Sequence, residues 1–198
     1  MNTPDQLKPI KLIGVVGGAA SGKDTVAALF TEHGYAHVSS SDLVREEIIK
    51  RGGIPSRPLQ TEVANDMRKR YGPHYWVDLS IRQLGTATRG VISGLYSPAE
   101  GEYLINAKGG ALVSVIAGEG DDSLTRFNRL KTRGDGSRDD LTLEDFLAAH
   151  TRENGGTQPH ETNLGDLHSM AQFIVYNTAD LEYLKLQTSD IITKLEDL

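Results

Sequence analysis

The chain has 198 residues, 38% of them apolar and 24% charged, which suffices for a buried core and is too apolar for a disordered chain. It contains no cysteine, which excludes disulfides, thiolate metal sites and cysteine nucleophiles. The net charge of −6 argues against a nucleic-acid platform, and neither a membrane-length apolar run nor a secretory core in residues 1–9 is present, so a single cytoplasmic domain over 1–198 is expected.

In chain order, Ile10–Val16 is an almost continuous apolar run rich in β-branched residues, the pattern of a strand buried on both faces. Residues 23–32 place apolar side chains at helical spacing, and His33-Gly34 ends them. Tyr35–Val38 predicts a second strand, and Ser39–Ser41 supplies hydroxyl caps for a helix over 42–51. Helices are predicted over 58–71 and His74–Leu84, a third strand over Val91–Leu95, and a helix opened by Pro98 and running through Ala107. Ala111–Ala117 predicts a fourth strand and Asp121–Arg133 a helix. A polar loop, a helix over Thr142–Asn154, a flexible connection over 155–163, a last strand over Ala171–Tyr176 and a closing helix over 179–197 complete the chain. Strands separated by helices predict an α/β fold: a five-stranded parallel sheet with helices on both faces and ligands beyond the carboxyl ends of the strands.

The segment Gly17-Gly18-Ala19-Ala20-Ser21-Gly22-Lys23-Asp24-Thr25 lies between the first strand and the first helix with the spacing G-x-x-x-x-G-K. Small residues let backbone N–H groups turn inward around a phosphate, and the helix N-terminus adds its positive end. Lys23 then reaches the outer phosphates as a compact cation. Asp24 stands where a hydroxyl usually follows the lysine to hold Mg²⁺; Thr25 is therefore expected as the nearer ligand, with Asp24 contributing directly or through water.

With these residues the chain resembles the P-loop nucleoside and nucleotide kinases. GGAASGK is similar to the loop of dephospho-CoA kinases, the GK-x-T ending to adenylate kinases, and GKDT to deoxynucleoside monophosphate kinases. The resemblance implies a three-layer kinase fold with a lid insertion, ATP and Mg²⁺ as cofactors, and transfer to a small phosphorylated acceptor such as a (deoxy)nucleoside monophosphate. Ser41-Asp42-Leu43-Val44-Arg45 is similar to the S-D-x-x-R block that opens the acceptor-binding helices, here about 39–85, and it gives Arg45 the acceptor phosphate. Residues 91–104 (VISGLYSPAEGEYL) look like a V-I-D-G-I-R-S-P-x-E-x-E-x-L segment of archaeal adenylate-kinase-like proteins. Ser93 replaces its aspartate, and Tyr96 replaces its acceptor-binding arginine.

Arg129 and Arg133, four residues apart, resemble the R-x-x-x-R helix leading into a kinase lid, here about 126–162. The resemblance implies that Arg129 covers the adenine, that Arg133 and Arg138 stabilise the moving phosphoryl group, and that Arg152 meets the bound substrates. Asn177 follows the FIVY strand in the place that lies near the adenine in such kinases, and Gln172 stands where an aspartate often precedes that strand. The six histidines form no tight ligand pair and are expected in ordinary surface or loop roles, and Trp76 in core packing. Dephospho-CoA kinase, and a nucleotide-binding module with weak or no transfer, are the alternative functions; small nucleotides are the expected partners.

Overall fold

The computed structural model describes residues 11–118, 122–132 and 141–196. Strands β1 (Lys11–Val16), β2 (Ala36–Ser39), β3 (Arg89–Ser93), β4 (Ala111–Ile116) and β5 (Phe173–Tyr176) pair in the order β2-β3-β1-β4-β5, every pair parallel. Helix α1 (Lys23–Glu32) follows β1; α2 (Ser40–Lys50), α3 (Arg57–Tyr71) and α4 (Tyr75–Leu84) fill the crossover from β2 to β3. Helix α5 (Pro98–Glu102) leads through a π-helical turn (Tyr103–Ala107) to β4. Then α6 (Ser123–Thr132), α7 (Leu143–Asn154) and α8 (Leu164–Ser169) precede β5, and α9 (Leu181–Glu196) follows it.

The alternation of side chains along the central strand explains the layers. Ile13 and Val15 of β1 point to one face and pack with Val26 and Phe30 of α1 and Ile191 and Ile192 of α9. Leu12 and Val16 point to the other, where Val77 and Leu84 of α4, Leu104 of the π-turn and Leu167 of α8 cover them. Helices thus lie on both faces of the sheet, and each fully buried aliphatic side chain contributes about 1.5–3 kcal/mol by leaving water. A third cluster joins α2, α3 and α4 around Leu43, Ile48, Val63, Met67 and Trp76. No helix among the described residues is long and apolar enough to cross a membrane.

Caps set several helix starts. Ser39 Oγ accepts from the Asp42 amide (3.2 Å), in line with the hydroxyl cap expected there, and Ser56 Oγ accepts from Leu59 N (3.4 Å). The connection over 155–163 is more tied down than the sequence suggests. Gly156 N donates to Thr162 O (3.1 Å), Ser97 Oγ to Pro159 O (3.0 Å), and Asn163 N to Tyr96 O (2.9 Å). Helix α8, absent from the sequence reading, follows with Asn163 as its cap. The helix expected over 98–107 divides into α5 and the π-turn.

Two glutamines do the work of backbone at the β5 side. Gln172 Oε1 accepts from Leu112 N of β4 (2.7 Å). Gln187 of α9 clasps Tyr176, accepting from its N–H and donating to its carbonyl, both at 2.9 Å.

Candidate functional site

At the carboxyl end of β1 the chain turns through 17–22 before α1 starts at Lys23. Gly22 has φ +101° and Ala20 φ +61°, both in the left-handed region that L side chains rarely occupy. Reversals of this kind turn successive main-chain amides toward one centre, an arrangement that receives an anion. Ser21 N donates to Gly18 O (3.2 Å), and Lys23 N to Ser21 Oγ (3.4 Å). Lys23 is only 8% exposed, and its Nζ lies 3.3 Å from the Asp24 carboxylate.

Neighbouring elements fix this loop from behind. Asn177, just past β5, donates its Nδ2 to Ser21 O (2.8 Å), and Arg129 of α6 donates Nη2 to Asn177 O (2.6 Å). Arg126, one turn earlier, lies against Gly18, where any Cβ would collide with its guanidinium. Asp122 accepts from Arg126 Nε, His150 Nδ1 lies 2.9 Å from its Nη2, and the Phe146 ring lies 5.4 Å beneath it. Ala19 and Ala20 pack under Leu130 and Phe146, so the α6–α7 region covers the loop with apolar contacts. Behind Gly18 a second cavity of about 310 Å³ reaches Asp122, Arg126, His150 and His168. Burial, helped by the nearby Arg126 charge and opposed by Asp122, holds the His168 pKa below the ordinary histidine value.

In front of the loop a cleft of about 320 Å³ opens between the sheet and helices α2 and α3. Ala19, Ala20, Lys23 and Asp24 form its floor, and the residues from Ser39 to Asp42, with Arg45, form one wall. Arg57, Thr61, Ala64 and Arg68 recur at helical spacing along α3 and form another, while Tyr96, Glu153 and Thr162 close the far side. Acids accompany the cations. Asp42 pairs with Arg45 at the exposed rim, and Glu153 Oε1 lies 3.1 Å from Arg57 Nη1. Arg68 and Glu100 are buried together, with bonds of 2.8 and 3.2 Å, and Glu100 Oε2 also accepts from Tyr96 N and Ser97 N, each at 3.1 Å. His37 Nε2 lies 2.9 Å from Ser93 Oγ. Partial withdrawal from water lowers the His37 pKa, against the pull of the Asp24 and Asp42 carboxylates.

The cleft therefore gathers Lys23, Asp24, Ser41, Asp42, Arg45 and Tyr96, six of the residues named from the sequence. Arg129 and Asn177 meet behind the loop. Thr25, expected as the nearer metal ligand, does not line the cleft, whereas Asp24 does. Arg152 is exposed, and it is its neighbour Glu153 that turns inward. Arg133 and Arg138 lie outside the described residues. Sequence reasoning missed His37, Arg57 and Glu153, and placed Arg126 only at the start of the lid region. The helical spacing of Arg57 to Thr61, Ala64 and Arg68 carried a signal for one of the three; no local pattern marks His37 or Glu153.

No family model matches the chain. A UPF0200 protein of Pyrococcus horikoshii is 30% identical over 189 residues, which span 93% of this chain and 97% of that protein. A UPF0200 protein of Pyrobaculum aerophilum is 30% identical over 188 residues, spanning 94% and 99%. Among solved structures, TT1252 from Thermus thermophilus aligns with a TM-score of 0.60 at 21% identity, covering 95% of this chain and 99% of that one. Shikimate kinase from Bacteroides thetaiotaomicron aligns with a TM-score of 0.55 at 14% identity, covering 94% and 98%. The likeness to both is one of fold, the parallel sheet with helices on both faces.

Proposed function

We propose that this chain, which belongs to the UPF0200 family, moves the terminal phosphoryl group of ATP to a small phosphorylated acceptor, a (deoxy)nucleoside monophosphate. The observation that carries the reading is that the phosphate-type loop and the acceptor-sized cleft share one floor: Lys23, Ala19 and Ala20 belong to both. A triphosphate cradled by the loop would therefore present its outermost phosphorus to whatever fills the cleft.

In this reading the residues divide the labour. The amides of 17–22 and Lys23 hold the outer phosphates, and Arg129 and Asn177 bracket the base from the far side of the loop. Ser41, Asp42, Arg45 and Tyr96 orient the acceptor, α2–α4 forming its side of the cleft and α6 and α7 the cover. Asp24, which lines the cleft, would supply a hard carboxylate that fits Mg²⁺ together with the phosphates of the nucleotide, whereas Thr25, which does not line it, would offer its hydroxyl only from outside the cleft. Such a dication, when bound, supplies positive charge against the outer phosphates. An acceptor phosphate oxygen attacks the γ-phosphorus as the bond to the β–γ bridging oxygen breaks, releasing ADP; an oxyanion needs no base. The protein's share is alignment and neutralisation, and Arg133 and Arg138 would serve the second.

The test offers purified protein ATP·Mg²⁺ with a panel of nucleoside monophosphates and dephospho-CoA, and follows ADP release and product mass. Turnover with a nucleoside monophosphate is expected; tight ATP binding without a phosphorylated product from any acceptor would refute the transfer. That second result would favour a nucleotide-binding module, a reading supported by Ser93, whose hydroxyl is engaged with His37 at the end of β3 where no carboxylate stands.

A further inference from the structure

Four lysine and arginine side chains line the cleft, and three are spoken for. Lys23 belongs to the loop and Asp24. Arg45 is paired with Asp42 at the rim. Arg68 is committed on every side, to Glu100 through Nε and Nη2 and to Asn65 Oδ1 through Nη1 (3.1 Å).

Arg57 differs. Among the described residues its guanidinium is engaged through Nη1, by Glu153 Oε1 at 3.1 Å, and Glu153 is itself 8% exposed. Its Nε is shut off from water and has no hydrogen-bond partner among the described residues. A buried charged donor left without an acceptor is costly, and native structures keep few of them. The unfilled position belongs to a residue that lines the cleft. A guanidinium presents its Nε and one Nη as parallel donors, the spacing of two oxygens of a carboxylate or phosphate.

We propose that Arg57 receives an oxyanion of the acceptor, phosphate or carboxylate, on the guanidinium edge that Glu153 leaves free, a small side-chain rotation bringing the covered Nε to the cleft while Nη1 stays on Glu153. The inference rests on the phosphotransferase reading and deepens it: the substrate class is acidic, and Arg57 selects it. Glu153 has two effects in this arrangement. It orients the guanidinium, and its own negative charge opposes the incoming anion.

The experiment fills the loop with a non-hydrolysable ATP analogue and Mg²⁺, so that added phosphate cannot occupy it. Inorganic phosphate, succinate, AMP and adenosine are then titrated by calorimetry and by tryptophan emission. Trp76 is the sole tryptophan, and its indole N–H bonds the Ala64 carbonyl of the same α3 wall (3.2 Å). Arg57→Gln should weaken AMP and phosphate at least tenfold and leave adenosine and the ATP analogue unchanged. A tenfold loss confined to succinate would identify a carboxylate in place of a phosphate. Glu153→Gln should tighten the anion severalfold, whereas a merely structural strap would make it behave like Arg57→Gln. Anion binding unaltered in Arg57→Gln, weakened by Glu153→Gln, or absent from the wild-type protein overturns this inference alone. A wild-type protein that takes no ATP analogue overturns the proposed function and this inference with it.

Discussion

Replacing Arg68 by Met tests how the cleft is held together. Arg68 and Glu100 are 3% and 0% exposed and join α3 to the start of α5 across 32 residues of sequence. The substitution fills similar volume but deletes two charge-assisted bonds to Glu100 and one to Asn65. The Glu100 carboxylate would remain buried with only the amides of Tyr96 and Ser97, so most of its charge loses its counterpart. Breaking one side of a buried pair costs about 3–5 kcal/mol. For a chain of this size that corresponds to a fall in Tm of roughly 6–20 °C. Urea denaturation of Arg68→Met against wild type measures it, and Arg68→Met/Glu100→Gln should recover much of the loss because no unpaired charge remains. A single-variant loss below about 1 kcal/mol would refute the claim that this pair organises the site.

Lys23→Ala should abolish the heat of ATP·Mg²⁺ binding while leaving Tm nearly unchanged, since among the described residues the side-chain partner of Lys23 is the exposed Asp24; wild-type affinity would remove the loop from the reading. Gly22→Ala should destabilise by about 1–3 kcal/mol in urea, because a side chain at φ +101° is strained and its Cβ would collide with the Asn177 amide. Burial lowers the His168 and His37 pKa values, so on acidification the unfolded chain takes up protons before the folded one. Their contribution is therefore complete above about pH 6.5 and declines below it, with a slope of at most about 1.4 kcal/mol per pH unit from each. His168→Gln should flatten the urea stability profile between pH 7 and 5; a slope equal to wild type would contradict the assignment.

The sheet was legible in the sequence because its central strands are buried on both faces and so read as nearly continuous apolar runs, as in ALVSVI of β4, interrupted by Ser114 alone. The phosphate-type loop was legible because glycine, small residues and lysine must follow one another locally for that turn to exist. What escaped was long-range. Arg57 and Glu153 are 96 residues apart, and Arg126 finds His150 24 residues on; such pairs are made by packing and leave no local spacing to read. Helix α8 is six residues long and rests on Leu164 and Leu167, too short for a period to declare itself. The tied-down connection before it reads as flexible for a similar reason, since its anchors, Tyr96 and Ser97, lie some 60 residues earlier.

The clasp of Gln187 on Tyr176 bears on how the molecule keeps to itself. β5 ends the sheet, and Ile174 and Tyr176 are about half exposed there, the makings of a sticky border onto which a foreign strand could zip. One amide side chain from α9 impersonates a neighbouring strand at Tyr176, occupying both its donor and its acceptor, so an intruder would have to evict it before pairing with that end of the strand.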